Sequence, residues 1–369
     1  MTLALRANQE SGFTCAIGVG GIGSGIMYSL YGKHDLGRNE SRLGELLDSR
    51  DYCKLHILEH YIAKLMGAGS APDSFRVLPI GVVGNDVIGT QILGEMSAAG
   101  LDLQFMRRDP SLKTLFSVCF IYPDGSGGNI TSGNSAARTV SAEDLKLASP
   151  LMKAAGRRAL VLCVPEVPLE LRRKFLEMAT HCGNYRACSF VLGDMEEARK
   201  TGLIALTDLL ALNQEETSAL LGCPSGHTLD EKLLAESAAK YTATLPALRL
   251  VMSAGSKGAY GFEGGRMQYC PAPVLRPKST AGAGDALLAG VASALAAGIP
   301  FIMPDEGGKS FSGRVLRTAL DFGVLNSSFS VTSEHSIHPD AGMGNLFAFA
   351  EQQGASISET IRSACYESE

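Results

Sequence analysis

Ser279-Thr280-Ala281-Gly282-Ala283-Gly284-Asp285 leads directly into ALLAGVASALAAGIPFIMP, residues 286–304, a run without one charged side chain. Glycines at 282 and 284 let successive backbone N–H groups face a single anion, and the dipole of a following helix adds positive potential. An acid at the mouth of such a hole repels phosphate, so Asp285 is not a phosphate ligand. It makes chemical sense as the base that takes a proton from a hydroxyl attacking phosphorus. A first-turn helix cap is the plainer alternative, and spacing alone weighs the two equally. The uncharged run has nearly the length a bilayer requires. Its two Gly, two Pro and many Ala fit a small-residue helix packed tightly on a sheet, and a membrane span is rejected.

Upstream, apolar β-rich runs recur at Phe13–Val19, Val77–Val83, Leu115–Tyr122, Ala159–Val164, Ala187–Leu192, Asp208–Leu212 and Leu248–Met252. Helical patterns lie between many of them, at Gly89–Ala99, Leu169–Thr180 and Leu229–Tyr241. Strands alternating with helices indicate βαβ units and a mostly parallel sheet covered on both faces. Residues 25–55 and 114–133 break the rhythm, the second as a hairpin around Asp124-Gly125-Ser126-Gly127. Both are expected to form a small β lid over one large domain spanning 1–369.

Composition narrows the function. Glycine supplies 42 of 369 residues, a surplus suited to tight turns and close backbone approaches. The net charge is −5 without a Lys/Arg block, which argues against a nucleic-acid partner. Nine scattered cysteines form no C-x-x-C pair, so no disulfide framework or zinc knuckle is expected. With no signal-like N-terminus, the expected location is the cytoplasm.

Two other glycine clusters compete with the first. Gly18-Val19-Gly20-Gly21-Ile22-Gly23 matches G-x-G-x-x-G after a strand, as a dinucleotide loop would. The segment after it is a poor amphipathic helix, and a tight glycine turn is the preferred reading. Gly81-Val82-Val83-Gly84-Asn85-Asp86 ends a strand and opens a helix, with Asp86 as a simple cap. No Walker motif is present.

The segment STAGAGDALLAGVASALAAG resembles the D-T-x-G-A-G-D signature of the ribokinase (PfkB) family of carbohydrate kinases. PIGVVGNDVIGTQILGEMSAAGLDL is similar to that family's G-x-V-G-x-D motif, DLLALNQEETSALLG to its N-x-x-E motif, and SAGSKGAYGFEGG to its T-x-G-x-x-G strand. These segments stand in family order from about Phe13 to Thr332. The resemblance implies a three-layer α/β/α sandwich and transfer of the ATP γ-phosphate to a hydroxymethyl group of a sugar or sugar-like molecule. It makes Asp285 the base and the backbone of Ala281, Gly282, Ala283 and Gly284 the anion hole. Asn213 and Glu216 would place Mg²⁺ and phosphates through water, and Ser253, Gly255 and Gly258 would line the ATP groove. It also implies a homodimer formed through the lid. A helix cap with its first-turn acid is the plainer reading of Asn213 and Glu216, and the two roles coexist.

Departures from the pattern bear on the acceptor. The family's sugar-gripping Asp falls at Gly25, and its G-G-x-x-x-N stretch falls near Cys53, Lys54 and Leu58. Replacements are sought among His34, Asp35, Arg38, Asn39 and Glu40, although solvated lid residues are the plainer reading. Ribose, fructose and adenosine are therefore expected to be poor acceptors. Ser279 replaces the signature's first Asp, which puts K⁺ dependence in doubt. A kinase-fold binding protein without turnover is one alternative, opposed by the intact Asp285. A dinucleotide oxidoreductase using Gly18–Gly23 is another, and it leaves the Gly-Ala-Gly-Asp segment unexplained.

Overall fold

The computed structural model describes residues 2–7, 12–32, 35–69, 74–124, 127–224, 229–303 and 310–368. His34 and the Gly125-Ser126 tip of the expected hairpin lie outside the described residues. In chain order the elements begin with β1 (Thr2–Leu5), β2 (Cys15–Val19), β3 (Gly23–Leu30), β4 (Gly44–Tyr52) and α1 (Lys54–Met66). Next come β5 (Arg76–Gly84), α2 (Val87–Ala98), β6 (Met106–Asp109), β7 (Leu115–Ile121), β8 (Gly127–Thr131) and α3 (Ala142–Ala155). The middle of the chain supplies β9 (Ala159–Cys163), α4 (Leu169–Cys182), β10 (Tyr185–Ser189), α5 (Leu192–Lys200), β11 (Leu209–Asn213), α6 (Gln214–Leu220) and α7 (Glu231–Thr244). β12 (Arg249–Ser253), β13 (Gly258–Glu263), β14 (Arg266–Pro271) and α8 (Ala283–Ala296) follow. The chain closes with β15 (Val315–Leu316), α9 (Ala319–Ser330), α10 (Met343–Gln352), β16 (Ser356–Ile357), α11 (Glu359–Ser363) and β17 (Cys365–Ser368).

Nine strands form the main sheet in the order β14-β13-β12-β11-β10-β9-β2-β5-β6. From β12 to β6 every pairing is parallel, while β13 and β14 close one edge as antiparallel strands. Successive strand side chains point to opposite faces, so each parallel strand feeds two cores. Leu160 and Leu162 of β9 join α1, α8, α9 and α10 on one face. Val161 and Cys163 join α3, α4, α5 and α7 on the other. That is the expected three-layer α/β/α arrangement.

The two excursions become a separate four-stranded sheet in the order β4-β3-β7-β8. Its central pair β3–β7 is parallel and both flanking pairs are antiparallel. Residues 53–55 belong instead to the start of α1. The expected strand Ala187–Leu192 is a second adjustment: it stops at Ser189, and Leu192 begins α5. The Ser189 carbonyl accepts the buried Arg172 guanidinium, which lies 4.4 Å from the Phe190 ring centroid.

α8 lies between α1 and α9, and its small residues let it approach closely. A Cβ on Gly290 would sit 2.8 Å from the Gly323 Cα. Among the described residues no helix is long and apolar enough to cross a membrane.

The Gly18–Gly23 cluster joins β2 to the lid strand β3, so no helix N-terminus follows it to receive a pyrophosphate. None of its glycines has a positive φ. Each instead admits a neighbour: an added Cβ would meet Glu59 Oε1 at 2.4 Å from Gly18, and Val164 Cγ2 at 2.4 Å from Gly20. From Gly21 it would meet Glu166 Oε2 at 2.1 Å, and from Gly23 the Leu115 carbonyl at 2.4 Å. Close packing, rather than left-handed turn geometry, requires glycine here.

Candidate active site

Residues at the carboxyl ends of the parallel strands converge with the N-termini of α1 and α8, the usual position of a site in such a sheet. The Ser279–Asp285 loop enters α8 through Gly282, which has φ +74°. A Cβ at Gly282 would lie 2.6 Å from the Ser336 carbonyl, so both conformation and space demand glycine. Ser279 is buried, and its Oγ accepts the Ala281 N–H at 3.2 Å. As helix N-cap, Gly282 brings no side chain to the first N–H groups, and nothing within 4 Å covers the Cβ position of Gly284. Ala281, Gly282, Ala283 and Gly284 thus form an open backbone cradle at the positive end of a helix.

Asp285 stands in the first turn of α8 and is only 7% exposed. Burial pushes its carboxyl pKa up, Lys54 opposes the rise, and the nearby charge of Asp51 adds to it. Lys54 Nζ lies 3.7 Å from Asp285 Oδ2, and this carboxylate is the largest cause of the raised lysine pKa.

Glu166, just past β9, completes the cluster. It is a non-glycine residue at φ +77°, and its Oε2 accepts the Lys54 backbone N–H at 3.1 Å. Cys53 gives α1 no side-chain cap, so a carboxylate from another element caps this helix. Burial raises Glu166 to about pH 7 against the pull of Lys54. Its space exists because residue 21 is glycine. Lys54 was noted in the sequence only as part of a departed motif, and Glu166 was missed; no local pattern marks either.

Asn213 ends β11 and caps α6. Its Oδ1 accepts the Glu216 N–H at 2.8 Å while Glu216 Oε2 accepts the Asn213 N–H at 2.9 Å. The plain reading of this pair as a cap is therefore realised. Glu216 also reaches the site: burial raises its pKa, and Lys54 and Asp285 both act on it. Ser253 is paired with Asn213 across β11 and β12. Gly255 at φ +58° and Gly258 at φ +118° turn the chain from β12 into β13, and a Cβ on Gly258 would strike the Cys270 carbonyl at 2.0 Å. Asp86, by contrast, is structural: it accepts Gly89 N–H and both the N–H and hydroxyl of Thr114, fastening α2 to the start of β7.

Solved structures share this frame. Arabidopsis thaliana ribokinase complexed with ribose and ATP is 20% identical, with a TM-score of 0.64 over 92% of this chain and 99% of that one. Burkholderia thailandensis nucleoside kinase in complex with inosine is 15% identical, at TM-score 0.65 over 92% and 97%. Adenosine kinase from Sinorhizobium meliloti is 16% identical, at TM-score 0.66 over 92% and 99%. These likenesses establish the ribokinase-like fold. The model of the pfkB family of carbohydrate kinases matches residues 61–341, starting within α1 and leaving out β3, β4 and Lys54. With that match over most of its length, the chain belongs to the pfkB family of carbohydrate kinases.

Proposed function

We propose that the protein transfers the γ-phosphoryl group of ATP to a hydroxymethyl group of a sugar or sugar-like acceptor. The observation that carries this reading is the buried Asp285 beside the open cradle at the start of α8, in a chain of this family. Asp285 takes the proton of the acceptor hydroxyl, and the oxygen forms its bond to the γ-phosphorus as the bond to the departing ADP oxygen breaks. The N–H groups of Ala281, Gly282, Ala283 and Gly284 hold the charge that develops on the transferred group. Lys54, already beside Asp285, opposes the burial-driven rise of its pKa and carries positive charge toward the phosphates.

ATP would lie along Ser253, Gly255 and Gly258. The capping bonds engage Asn213 Oδ1 and Glu216 Oε2, so Glu216 Oε1 and the second lone pair of Asn213 Oδ1 would hold Mg²⁺ through water. Bound there, Mg²⁺ would neutralise phosphate charge. Ser279 puts a hydroxyl, engaged by the Ala281 N–H, where a carboxylate would be needed to favour K⁺, so equal turnover in Na⁺ and K⁺ at fixed ionic strength is expected.

The test is ADP release on ATP with a panel of sugars, polyols and nucleosides, with the phosphorylated product identified by ³¹P NMR. Acceptor-dependent ADP release supports the reading. ATP binding without transfer to any acceptor would support a non-catalytic binding protein, and NAD binding in preference to ATP would revive the oxidoreductase.

A further inference from the structure

Side chains paired in register across a sheet share a face, and on the lid this brings an unassigned carboxylate over the active site. Gly25 of β3 is paired with Asp51 of β4 on one side and Ser117 of β7 on the other. Met27, two residues along the same face, lies 3.8 Å by its Sδ from Ser279 Oγ. This face therefore looks onto the loop that carries Asp285. Gly25 has no side chain, and a Cβ there would stand 2.6 Å from Ser117 Oγ. Across that notch the Cys119 thiol of β7 donates to Asp51 Oδ2 at 3.0 Å, two strands away. Asp51 is 6% exposed, and its charge reaches Asp285, Cys53 and Cys119.

We propose that Asp51 reads the acceptor in the notch over Gly25, and that the acceptor is an uncharged polyol held through its hydroxyl groups. The inference rests on the phosphotransfer reading and deepens it. Among the described residues, Asp51, Glu166 and Asp285 stand around the notch, and Lys54 lies beside Asp285. Carboxylates accept hydrogen bonds from hydroxyls, whereas an acceptor bearing its own phosphate or carboxylate would meet like charge. The carboxylate that the sequence lacks at position 25 is thus delivered from the neighbouring strand. This revises the expectation that common sugars find too few partners.

Steady-state kinetics on the full chain test the proposal, using neutral sugars and alditols, their monophosphates and their sugar acids. The wild type is expected to use a neutral polyol at least about 100-fold more efficiently, in kcat/KM, than its anionic counterparts. Asp51→Asn is expected to raise KM for that polyol about 10- to 100-fold, with KM for ATP within about twofold. Preference for an anionic acceptor, or an unchanged polyol KM in folded Asp51→Asn, overturns the proposal. If the variant does not fold, the wild-type panel still decides. ATP binding with no transfer to any acceptor would remove the phosphotransfer reading and this inference together, whereas transfer that ignores Asp51 removes the inference alone.

Discussion

At Asp285 two forces oppose each other: burial raises the carboxyl pKa and the Lys54 ammonium lowers it. Only the ionised form serves as base, so turnover should fall as pH drops through a value above the ordinary aspartate range near 3.9. Asp285→Asn removes the base and should lower kcat roughly 10²- to 10⁴-fold. ATP affinity should hold, because the cradle is backbone; near-full kcat in this variant would remove Asp285 from the reaction. Lys54→Met withdraws the charge that opposes burial. Its acid limb should move to higher pH and kcat should fall, and a limb that stays in place would mean that Lys54 does not tune Asp285. The role of Asp285 was open to reading from sequence because it sits in a contiguous Gly-Ala-Gly-Asp stretch. Lys54 and Glu166 were not, since each joins the candidate site only through contacts with distant elements.

Helix starts were the most legible elements. The Asp86 cap and the Asn213–Glu216 box follow from short polar residues placed where orphan N–H groups need acceptors. The start of α8 also depends on Gly282, which combines φ +74° with a close backbone neighbour. A side chain in the left-handed region costs roughly 1–2 kcal/mol, and the Ser336 carbonyl adds a clash. Gly282→Ala should therefore lower Tm and reduce kcat by distorting the cradle, to be measured by thermal melts and kinetics on one preparation. A variant with wild-type Tm and kcat would show that the loop tolerates a Cβ. The Gly18–Gly23 segment was harder to interpret: its glycines are explained by Glu59, Val164, Glu166 and Leu115 rather than by any local turn.

Across the whole molecule, buried ionisable groups shape stability. Glu59 of α1 is fully buried, neither carboxyl oxygen has a hydrogen-bond partner among the described residues, and burial raises its pKa well above the ordinary value. The folded state then binds more protons than the unfolded one, so this contribution to stability is present in acid and is lost as pH rises. The loss runs at about 1.4 kcal/mol per pH unit between the unfolded and folded pKa values. His56, also fully buried, is shifted down by burial and acts in the opposite sense, lowering stability as pH falls below the ordinary histidine value. Glu59→Gln should accordingly melt above wild type at pH 8, with the gap closing toward pH 5. A gap independent of pH would mean that Glu59 is not the titrating group. On the lid, the rows Leu46–Tyr28–Phe120 and Ile26–Val118–Ile130 form the apolar face turned away from the site, with Leu46 and Ile130 exposed. We propose that this face joins two copies of the chain. Leu46→Glu with Ile130→Lys should shift the sedimentation coefficient from dimer to monomer, and a wild type already monomeric would reject the interface.

By itself the sequence determined the alternation of strands and helices, the layered architecture, the lid as a separate excursion and the loop that ends in Asp285. Each of these rests on short-range pattern: unbroken apolar strands alternating with helical runs, glycine-marked turns and an acid at a helix start. The tertiary structure alone decided the partners of that acid. Lys54 approaches it from α1, Glu166 enters through the space left at Gly21, and Asp51 stands across the lid from Gly25. Those distances depend on strand register and on which glycines admit a neighbour, and neither quantity is encoded in any local stretch of the chain.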